Sequence, residues 1–332
     1  MGCFINKLAV HLPENILTND ELSSMFPEWD SNNIFEKIGI RQRHFVSEYE
    51  TALDLAIVAS EKVLEGFDKN LIDFVILCTQ SPDYYLPTTA CIVQDKLGLR
   101  TNIGAFDFNL GCSGFIYGLA IAKGLIETDL AKNILLIFAE TYTKHIHPKD
   151  KVNRSIFGDG AAASIISCCE NEQILKFELG TDGKGMNNLI VPNGGLRNKY
   201  NPAEQDFQDG DNNTRNNNCL YMNGPEILNF TIVKIPSLVS KTLEKNNLTL
   251  DTIDYVIFHQ ANKYMLDYLR KKIRISPDKF YQNMENSGNT VSATIPIALK
   301  DAIEKGLIKK GDKVLLAGFG VGYSWGATVI EI

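Results

Sequence analysis

The 332-residue sequence lacks any run of apolar residues that approaches the ~18 residues of a membrane span. Its first residues, MGCFINKLAVHLPEN, contain no apolar core of the length that a secretory signal peptide has. They also fail the myristoylation pattern, because Asn6 stands where the pattern has Ser or Thr. We therefore expect a cytoplasmic protein with no membrane partner.

The sequence also lacks a CxxC pair, and its seven cysteines are an odd number. Neither a disulfide framework nor a zinc site is indicated by this pattern, which is typical of a reducing compartment. His145 and His147 stand close together in KHIHPK, but no third histidine lies nearby in the sequence. We therefore predict no metal site.

An excess of positive charge is absent as well. Lys and Arg number 33 against 40 acidic residues, which leaves a net charge of −7 and argues against nucleic acid as a partner. One basic cluster stands out, and it consists of Lys263, Arg270, Lys271, Lys272 and Arg274. It is either a solvated helix face or a docking surface for an acidic partner.

Short apolar runs that alternate with longer helical stretches predict an α/β fold. The strand-like runs lie at residues 72–79, 103–108, 134–139, 161–167, 253–259 and 314–317. The helical stretches lie at residues 52–65, 113–127, 227–245 and 292–305. Because the predicted strands are apolar throughout, we expect sheets that are covered on both faces.

The sequence contains an internal repeat with a period of about 180 residues. LIDFVILCTQ resembles TIDYVIFHQA, KNILLIFA resembles DKVLLAGF, and AKGLI resembles EKGLI, in the same order in both halves. This predicts a duplicated α/β unit, with halves at residues 1–170 and 171–332 and a site where equivalent elements meet. Residues 193–218 are rich in Asn, Asp and Gly and interrupt the pattern; they are either a lid or a solvated insertion.

Cys112 stands between a predicted strand and a predicted helix. The small residues Gly114, Gly118 and Ala122 recur every four residues along that helix, which indicates that another helix packs closely against it and that it is central. The helix dipole and the unpaired N–H groups at its start favour a thiolate, lower the cysteine pKa and can stabilise an oxyanion. The alternative is that Cys112 is a small buried apolar residue, as most cysteines are.

The second half of the chain supplies counterparts to this position. Asn289 follows a glycine turn and corresponds to Cys112, and His259 ends a predicted strand where the first half has Cys78. Asn289 is either a hydrogen-bond donor to substrate or a turn residue, and His259 is either a ligand-binding or a structural histidine. Together the three residues form a Cys-His-Asn constellation that is suited to thioester chemistry.

The sequence resembles the β-ketoacyl-acyl-carrier-protein synthase III enzymes of the thiolase superfamily over nearly its whole length. Six motifs in family order carry the resemblance: GIRQRH at 39–44, GCSGF at 111–115, FGDGAAA at 157–163, HQAN at 259–262, GNT with ATIP at 288–296, and GFGVGYSWGA at 318–327. The resemblance implies the duplicated thiolase fold, with five αβαβα layers and two pseudo-symmetric halves, in a homodimer.

The resemblance also implies roles for residues of the site. Cys112 would be the acylated nucleophile, and His259 and Asn289 would hold a malonyl thioester and stabilise its enolate. The backbone N–H groups of Cys112 and Val321 would form the oxyanion hole, with Phe319 beside the site. The implied reaction is acyl transfer to Cys112 and decarboxylative Claisen condensation with malonyl acyl carrier protein, which starts fatty acid synthesis. An acyl-CoA or acyl carrier protein would donate the acyl group, and no cofactor is implied.

The remaining implied positions bind substrate or carrier protein. Those for substrate are Asn262, Lys37, Lys151 and Leu86, and those for carrier-protein docking are Lys271 and Lys272. The sequence departs from the family pattern at some of these positions, since Lys replaces Arg at 37 and 151 and Leu86 replaces the gating Phe. It departs at one further position: Asn33 stands where members that use coenzyme A usually have tryptophan, and Trp29 lies nearby but out of register. A specialised relative is the alternative, with another donor or a non-malonyl acceptor in secondary metabolism or glycan modification. A non-catalytic partner subunit is a third hypothesis, against which the intact triad argues.

Overall fold

The computed structural model describes residues 2–209 and 213–332 and contains two five-stranded sheets. The strands are β1 (Gly2–His11), β2 (Asn15–Thr18), β3 (Gln42–Phe45), β4 (Phe74–Cys78), β5 (Gly104–Phe108), β6 (Asn133–Glu140), β7 (Gly160–Cys169), β8 (Glu178–Thr181), β9 (Leu189–Ile190), β10 (Phe207–Asp209), β11 (Asn213–Arg215), β12 (Tyr221–Met222), β13 (Tyr255–Phe258), β14 (Phe280–Tyr281), β15 (Lys313–Gly320) and β16 (Ser324–Glu331). The helices are α1 (Asn19–Met25), α2 (Ser31–Ile38), α3 (Ala52–Leu64), α4 (Thr89–Lys96), α5 (Gly114–Glu127), α6 (Lys151–Ile156), α7 (Gly224–Lys245), α8 (Lys263–Ile273) and α9 (Thr294–Glu304).

The two large sheets have the same topology. The first has the order β1-β7-β6-β4-β5 and the second the order β8-β16-β15-β13-β14. In the first sheet, β4 is parallel to β5 and β6, and β7 is antiparallel to β1 and β6. In the second sheet, β13 is likewise parallel to β14 and β15, and β16 is antiparallel to β8 and β15. The duplicated α/β fold is therefore confirmed. The boundary at residue 170 stays a prediction.

The helices and sheets form five layers. α3 and α4 pack on the outer face of the first sheet, and α7 with α8 covers the second. α5 and α9 lie between the sheets, in an apolar core that includes Ile76 and Phe138 of the first sheet and Ile257 and Leu316 of the second. Among the described residues, no helix has both the length and the apolarity that a membrane crossing requires.

Most predicted elements agree with the structure to within a few residues, and two central differences have physical causes. β1 was not predicted because Asn6 and Lys7 interrupt its apolar residues, at a point where its pairing with β7 contains a bulge. α5 is central, but Gly114 and Gly118 mainly face strands, and Gly114 also faces Ser292 in the helical turn before α9. A Cβ on Gly114 would lie 2.6 Å from Cys78 Sγ, and one on Gly118 would lie 2.9 Å from the Phe138 ring.

The segment at 193–218 contains the hairpin formed by β10 and β11, and its residues 210–212 lie outside the described residues. Glu204 accepts hydrogen bonds from the side chains of Asn201 and Asn217. Asn213 donates to Asp150 Oδ1 at 3.0 Å, which attaches the hairpin to the residue that caps α6. Both interpretations of this segment, lid and solvated insertion, stay predictions.

Candidate active site

Cys112, His259 and Asn289 line one narrow cavity of about 40 Å³ between the two halves of the fold. They come from the start of α5, the end of β13 and the loop before α9. The other lining side chains are mainly apolar and include Ile156, Phe157, Leu189, Met222 and Ile227. The structure therefore brings the predicted triad together, and the catalytic role of each member stays a prediction.

Cys112 is 6% exposed and lies two residues before the start of α5. β15 passes so close that a Cβ on Gly320 would lie 2.7 Å from Cys112 Sγ, which explains the glycine at this position. Burial raises the pKa of Cys112 to about 12, while backbone hydrogen bonds from Val321 and from Cys112 itself lower it. The expectation of a lowered pKa was therefore wrong, because desolvation outweighs the effect of the helix N-terminus.

His259 is held by both its backbone and its ring. Its N–H donates to Ala317 O at 2.8 Å, and its Nδ1 lies 2.7 Å from Thr294 Oγ1. The ring of Phe319 meets it edge-on, with 6.1 Å between centroids. Burial lowers the pKa of His259 to about 3, so the imidazole is neutral near pH 7. Since Nδ1 is already occupied, Nε2 is the ring nitrogen that remains for a substrate.

Asn289 is fixed by residues from both halves of the chain. Its N–H donates to Ile156 O at 2.9 Å, and its carbonyl accepts from Gly158 N–H at 3.0 Å. The FGDGAAA motif of the first half therefore positions an asparagine of the second. Asn289 Oδ1 accepts from Val291 N–H at 2.9 Å, so its Nδ2 hydrogens stay available as donors.

Glu140 is a buried carboxyl group beside the site that the sequence reasoning missed. It ends β6 and is 0% exposed. Its Oε2 accepts from Gln80 N–H at 3.0 Å, and its Oε1 lies 2.8 Å from Ser292 Oγ, three residues after Asn289. Burial raises its pKa to about 8. Its place at the end of a buried strand, like that of His259, was a signal available in the sequence.

We expect Glu140→Gln to stabilise the protein at pH 8 and to have much less effect at pH 5. The pKa of about 8 in the folded protein exceeds the ordinary glutamate value of 4.5. Between these values the unfolded chain releases a proton that the folded chain keeps, so the free energy of unfolding falls as pH rises. Glutamine mimics the neutral acid and removes this dependence. Thermal unfolding of the wild type and of Glu140→Gln at pH 5 and pH 8 tests this. If the difference in stability between the two proteins is the same at both pH values, Glu140 ionises normally.

The predicted binding and docking positions lie in several places. Asn262 lines the cavity and caps α8 by accepting from Met265 N–H at 2.9 Å. Lys37 and Lys271 line a surface cleft between α2 and α8, which we call the α2–α8 cleft, and Lys272 is exposed on α8 nearby. Leu86 is 82% exposed and is not among the residues that line the cavity of its own chain.

Lys151 has a different environment from the one expected. Its side chain is 4% exposed, its Nζ lies 2.7 Å from Glu28 Oε1, and it stands 5.7 Å from the centroid of the Trp29 ring. Trp29 therefore reaches Lys151 although it is out of register in the sequence, and Asn33 is exposed on α2. The sequence did not reveal the ion pair, because Glu28 and Lys151 are far apart along the chain.

In the described part of the chain, no group of three His, Cys, Asp or Glu residues is placed to hold a metal ion. His145 Nε2 lies 3.3 Å from Ser81 Oγ, and His147 Nε2 lies 3.2 Å from Asp206 Oδ1. The two histidines therefore contact different polar side chains.

A duplicated thiolase fold whose central cavity contains cysteine, histidine and asparagine defines the class of condensing acyltransferases. The chain belongs to the β-ketoacyl-[acyl-carrier-protein] synthase III family. The family model for 3-oxoacyl-[acyl-carrier-protein] synthase III matches residues 106–183, and the model for the C-terminal part of these enzymes matches residues 243–332. The chain is accordingly an acyltransferase of this type, the condensing enzyme that initiates fatty acid biosynthesis.

Individual relatives cover almost the whole chain. The β-ketoacyl-[acyl-carrier-protein] synthase III of Caldanaerobacter subterraneus is 41% identical over 97% of this chain and 95% of its own length. A crystal structure of a 3-oxoacyl-(acyl-carrier-protein) synthase III is 44% identical, with a TM-score of 0.98 and full coverage of both chains. The 3-oxoacyl-(acyl-carrier protein) synthase of Burkholderia xenovorans is 34% identical, with a TM-score of 0.93 over 100% of this chain and 94% of the other.

Proposed function

We propose that the protein transfers an acyl group from a thioester donor to Cys112 and condenses it with malonyl acyl carrier protein to give a 3-oxoacyl carrier protein. The observation that carries this proposal is the cavity shared by Cys112, His259 and Asn289. The reaction needs only the two thioesters and no cofactor, and the seven free cysteines suit the reducing cytoplasm.

In the first half-reaction, Cys112 Sγ attacks the carbonyl carbon of the donor, and its thiol proton passes to the donor sulfur as that sulfur departs. The N–H groups of Cys112 and Val321, which already bond the cysteine sulfur, stabilise the oxyanion that forms. The donor C–S bond then breaks, and the donor leaves as a thiol with the proton that Cys112 released. One thioester replaces another, so the exchange is nearly balanced in free energy.

In the second half-reaction, the malonyl group loses CO2 and the electron pair of the broken C–C bond forms a thioester enolate. His259 Nε2 and Asn289 Nδ2 donate hydrogen bonds to the enolate oxygen, and both are neutral donors in a buried site. The enolate carbon attacks the acyl carbon on Cys112, and the cysteine leaves as a thiolate that takes up a proton. Phe319 beside His259 keeps the site apolar.

The α2–α8 cleft is the proposed docking surface for the carrier protein. α8 begins after Asn262, at the reaction cavity, and its last turn contains Arg270, Lys271 and Lys272. Lys37 and Lys263 add positive charge to the same cleft of an otherwise acidic protein. A carrier protein with an acidic surface would be attracted to this face.

We also propose a homodimer in which Leu86 reaches the cavity of the partner. β5 is an edge strand of the first sheet, with apolar residues that are only partly buried. Tyr84, Tyr85 and Leu86 are 61, 77 and 82% exposed, which is unusual for large apolar side chains. Antiparallel pairing of two β5 strands across a two-fold axis would cover both features.

A second candidate function is favoured by the ion pair between Glu28 and Lys151. The pair neutralises a buried cation at a position implied to bind coenzyme A. An acyl donor on a carrier protein does not need that cation, so this candidate is a relative that takes its acyl group from carrier protein instead of coenzyme A.

Intact-protein mass spectrometry distinguishes the two candidates. The protein is incubated with acetyl-CoA, longer acyl-CoAs or acyl carrier proteins, without an acceptor. Ready addition of an acetyl group from acetyl-CoA supports the primer enzyme. Labelling from acyl carrier protein alone supports the second candidate, and no covalent acyl group from any donor contradicts both.

We expect Glu28→Gln to lower the KM for acyl-CoA by about threefold to tenfold, because the freed Lys151 cation can attract the coenzyme A phosphates. The rate with an acyl carrier protein donor should not change. Asp20→Asn, an exposed acidic residue on α1, is the matched control for lost negative charge. The decrease in KM should become smaller at high salt, because salt screens the attraction. An equal decrease in KM in Asp20→Asn would mean that only the net charge of the protein matters.

A further inference from the structure

Two cysteines face each other in the first sheet, away from the reaction cavity. In the antiparallel pairing of the edge strand β1 with β7, Cys3 lies directly opposite Cys168. Residues directly opposite each other in such a pair have their side chains on the same face. Cys3 belongs to the apolar core between the two sheets, and Cys168 packs against that core. The structure therefore places two free thiols next to each other on one face of the sheet.

The backbone hydrogen bonds show which kind of cross-strand pair the two cysteines form. Cys168 N–H donates to Lys132 O at 2.8 Å, at the start of the neighbouring strand β6. Cys3 O accepts from Ile174 N–H at 3.1 Å, on the side of β1 that faces away from β7. The backbone groups of the two cysteines thus point away from each other, which defines a non-hydrogen-bonded pair.

A pair of this kind has the spacing that a disulfide needs. Its Cα atoms are typically about 4.5 Å apart, within the range of about 4.4 to 6.8 Å that disulfides span. Cys169 is the next residue of β7, and it points to the opposite face because successive strand residues alternate. Its thiol donates to Asn171 O at 2.8 Å. Among the described cysteines, Cys168 is therefore the one placed to bond Cys3.

We propose that Cys3 and Cys168 form a redox modification site, at which a small-molecule disulfide such as oxidised glutathione converts the two thiols into a cross-strand disulfide. The bond would tie β1 to β7 across a loop that contains every strand from β2 to β6. A disulfide that closes so long a loop stabilises the folded protein, chiefly by restricting the unfolded chain. The site is separate from the proposed reaction, because β7 begins just after the cavity residue Phe157 and Cys168 lies near its other end.

The two cysteines have different roles in the exchange. Cys168 is partly exposed, so its thiolate attacks one sulfur of oxidised glutathione, an S–S bond forms, and one glutathione leaves as a thiolate. Cys3 is fully buried, and this burial raises its pKa to about 12, so Cys3 reacts second. Its sulfur attacks Cys168 Sγ, and the second glutathione leaves with the proton of Cys3. Two protein thiols are oxidised, and one glutathione disulfide is reduced to two thiols.

Peptide mapping without a reductant tests the proposal. The protein is incubated with oxidised glutathione at a concentration that modifies the exposed Cys91, which shows that the oxidant has reacted. The remaining thiols are blocked with iodoacetamide, and the digested protein is analysed by mass spectrometry. We expect two peptides joined through Cys3 and Cys168, which dithiothreitol separates.

Thermal unfolding gives a second measurement of the same bond. Oxidation should raise the unfolding temperature of the wild type by about 5 °C or more, and dithiothreitol should reverse the increase. Cys168→Ser should lose both the joined peptides and the increase, and it should fold because Cys168 is partly exposed. Cys169→Ser, at the next position of the same strand, is the matched control and should keep both.

The proposal is overturned if the joined peptides are missing while Cys91 carries glutathione, or if Cys168 is joined to Cys169 instead. It is also overturned if oxidation raises the unfolding temperature of Cys168→Ser as much as that of the wild type. None of these measurements involves acyl transfer, so their outcome does not depend on the proposed function.

Discussion

Replacing Cys112 with alanine is expected to abolish acyl-enzyme formation and to reduce condensation by at least about 10³-fold, because no other group can accept the acyl chain. His259, Asn289 and the two backbone N–H groups remain in place. The variant should therefore still bind malonyl carrier protein and release CO2 from it, with water rather than an acyl group trapping the enolate. Intact mass after incubation with the acyl donor measures the first effect, and CO2 release without donor measures the second.

Cys91 provides the control for Cys112 because it is an exposed free cysteine outside the cavity. Cys91→Ala should keep the covalent acyl group and the condensation rate. Acyl mass that persists in Cys112→Ala and maps to another cysteine would refute the assignment. Cys78 is the residue to examine first in that event, since it is buried beside the start of α5 and donates to Leu110 O.

The layered fold could be predicted because sheets covered on both faces require strands that are apolar except at their ends. β4 and β6 show this in the first half, and β13 and β15 repeat it in the second. β1 escaped prediction because it contains polar residues at a bulge. A local bulge of this kind depends on the partner strand, which the sequence of β1 does not contain.

The positions of Cys112, His259 and Asn289 could be predicted for a related reason. The ends of equivalent strands and helices meet in a duplicated fold, so the repeat alone predicts that these residues come together. The contacts of Thr294, Glu140 and Glu28 join side chains that are distant along the chain. The expectation that the pKa of Cys112 is lowered was wrong for a similar reason. The burial that raises this pKa depends on how tightly β15 packs against the cysteine.

His259→Ala and Asn289→Ala are each expected to lower the decarboxylation rate by about 10²- to 10³-fold, the usual effect of removing one oriented donor from a buried anion. Acylation of Cys112 should change by no more than about threefold, because its oxyanion is stabilised by backbone N–H groups. Because the pKa of His259 is lowered to about 3, its charge should not change between pH 5 and pH 8. The two half-reactions are measured separately, as acyl mass gained and as CO2 released. Equal losses in both would contradict the assigned division of labour.

Asn289→Asp distinguishes hydrogen-bond donation from mere occupancy of the cavity. Aspartate keeps the shape and can still accept from Val291 N–H, but an acceptor oxygen takes the place of Nδ2. Its negative charge would face the developing enolate in a buried site, where like charges repel strongly. We therefore expect decarboxylation to be slower in Asn289→Asp than in Asn289→Ala. If aspartate works better than alanine, Asn289 contributes shape rather than a donor, and the enolate must be stabilised by His259 alone.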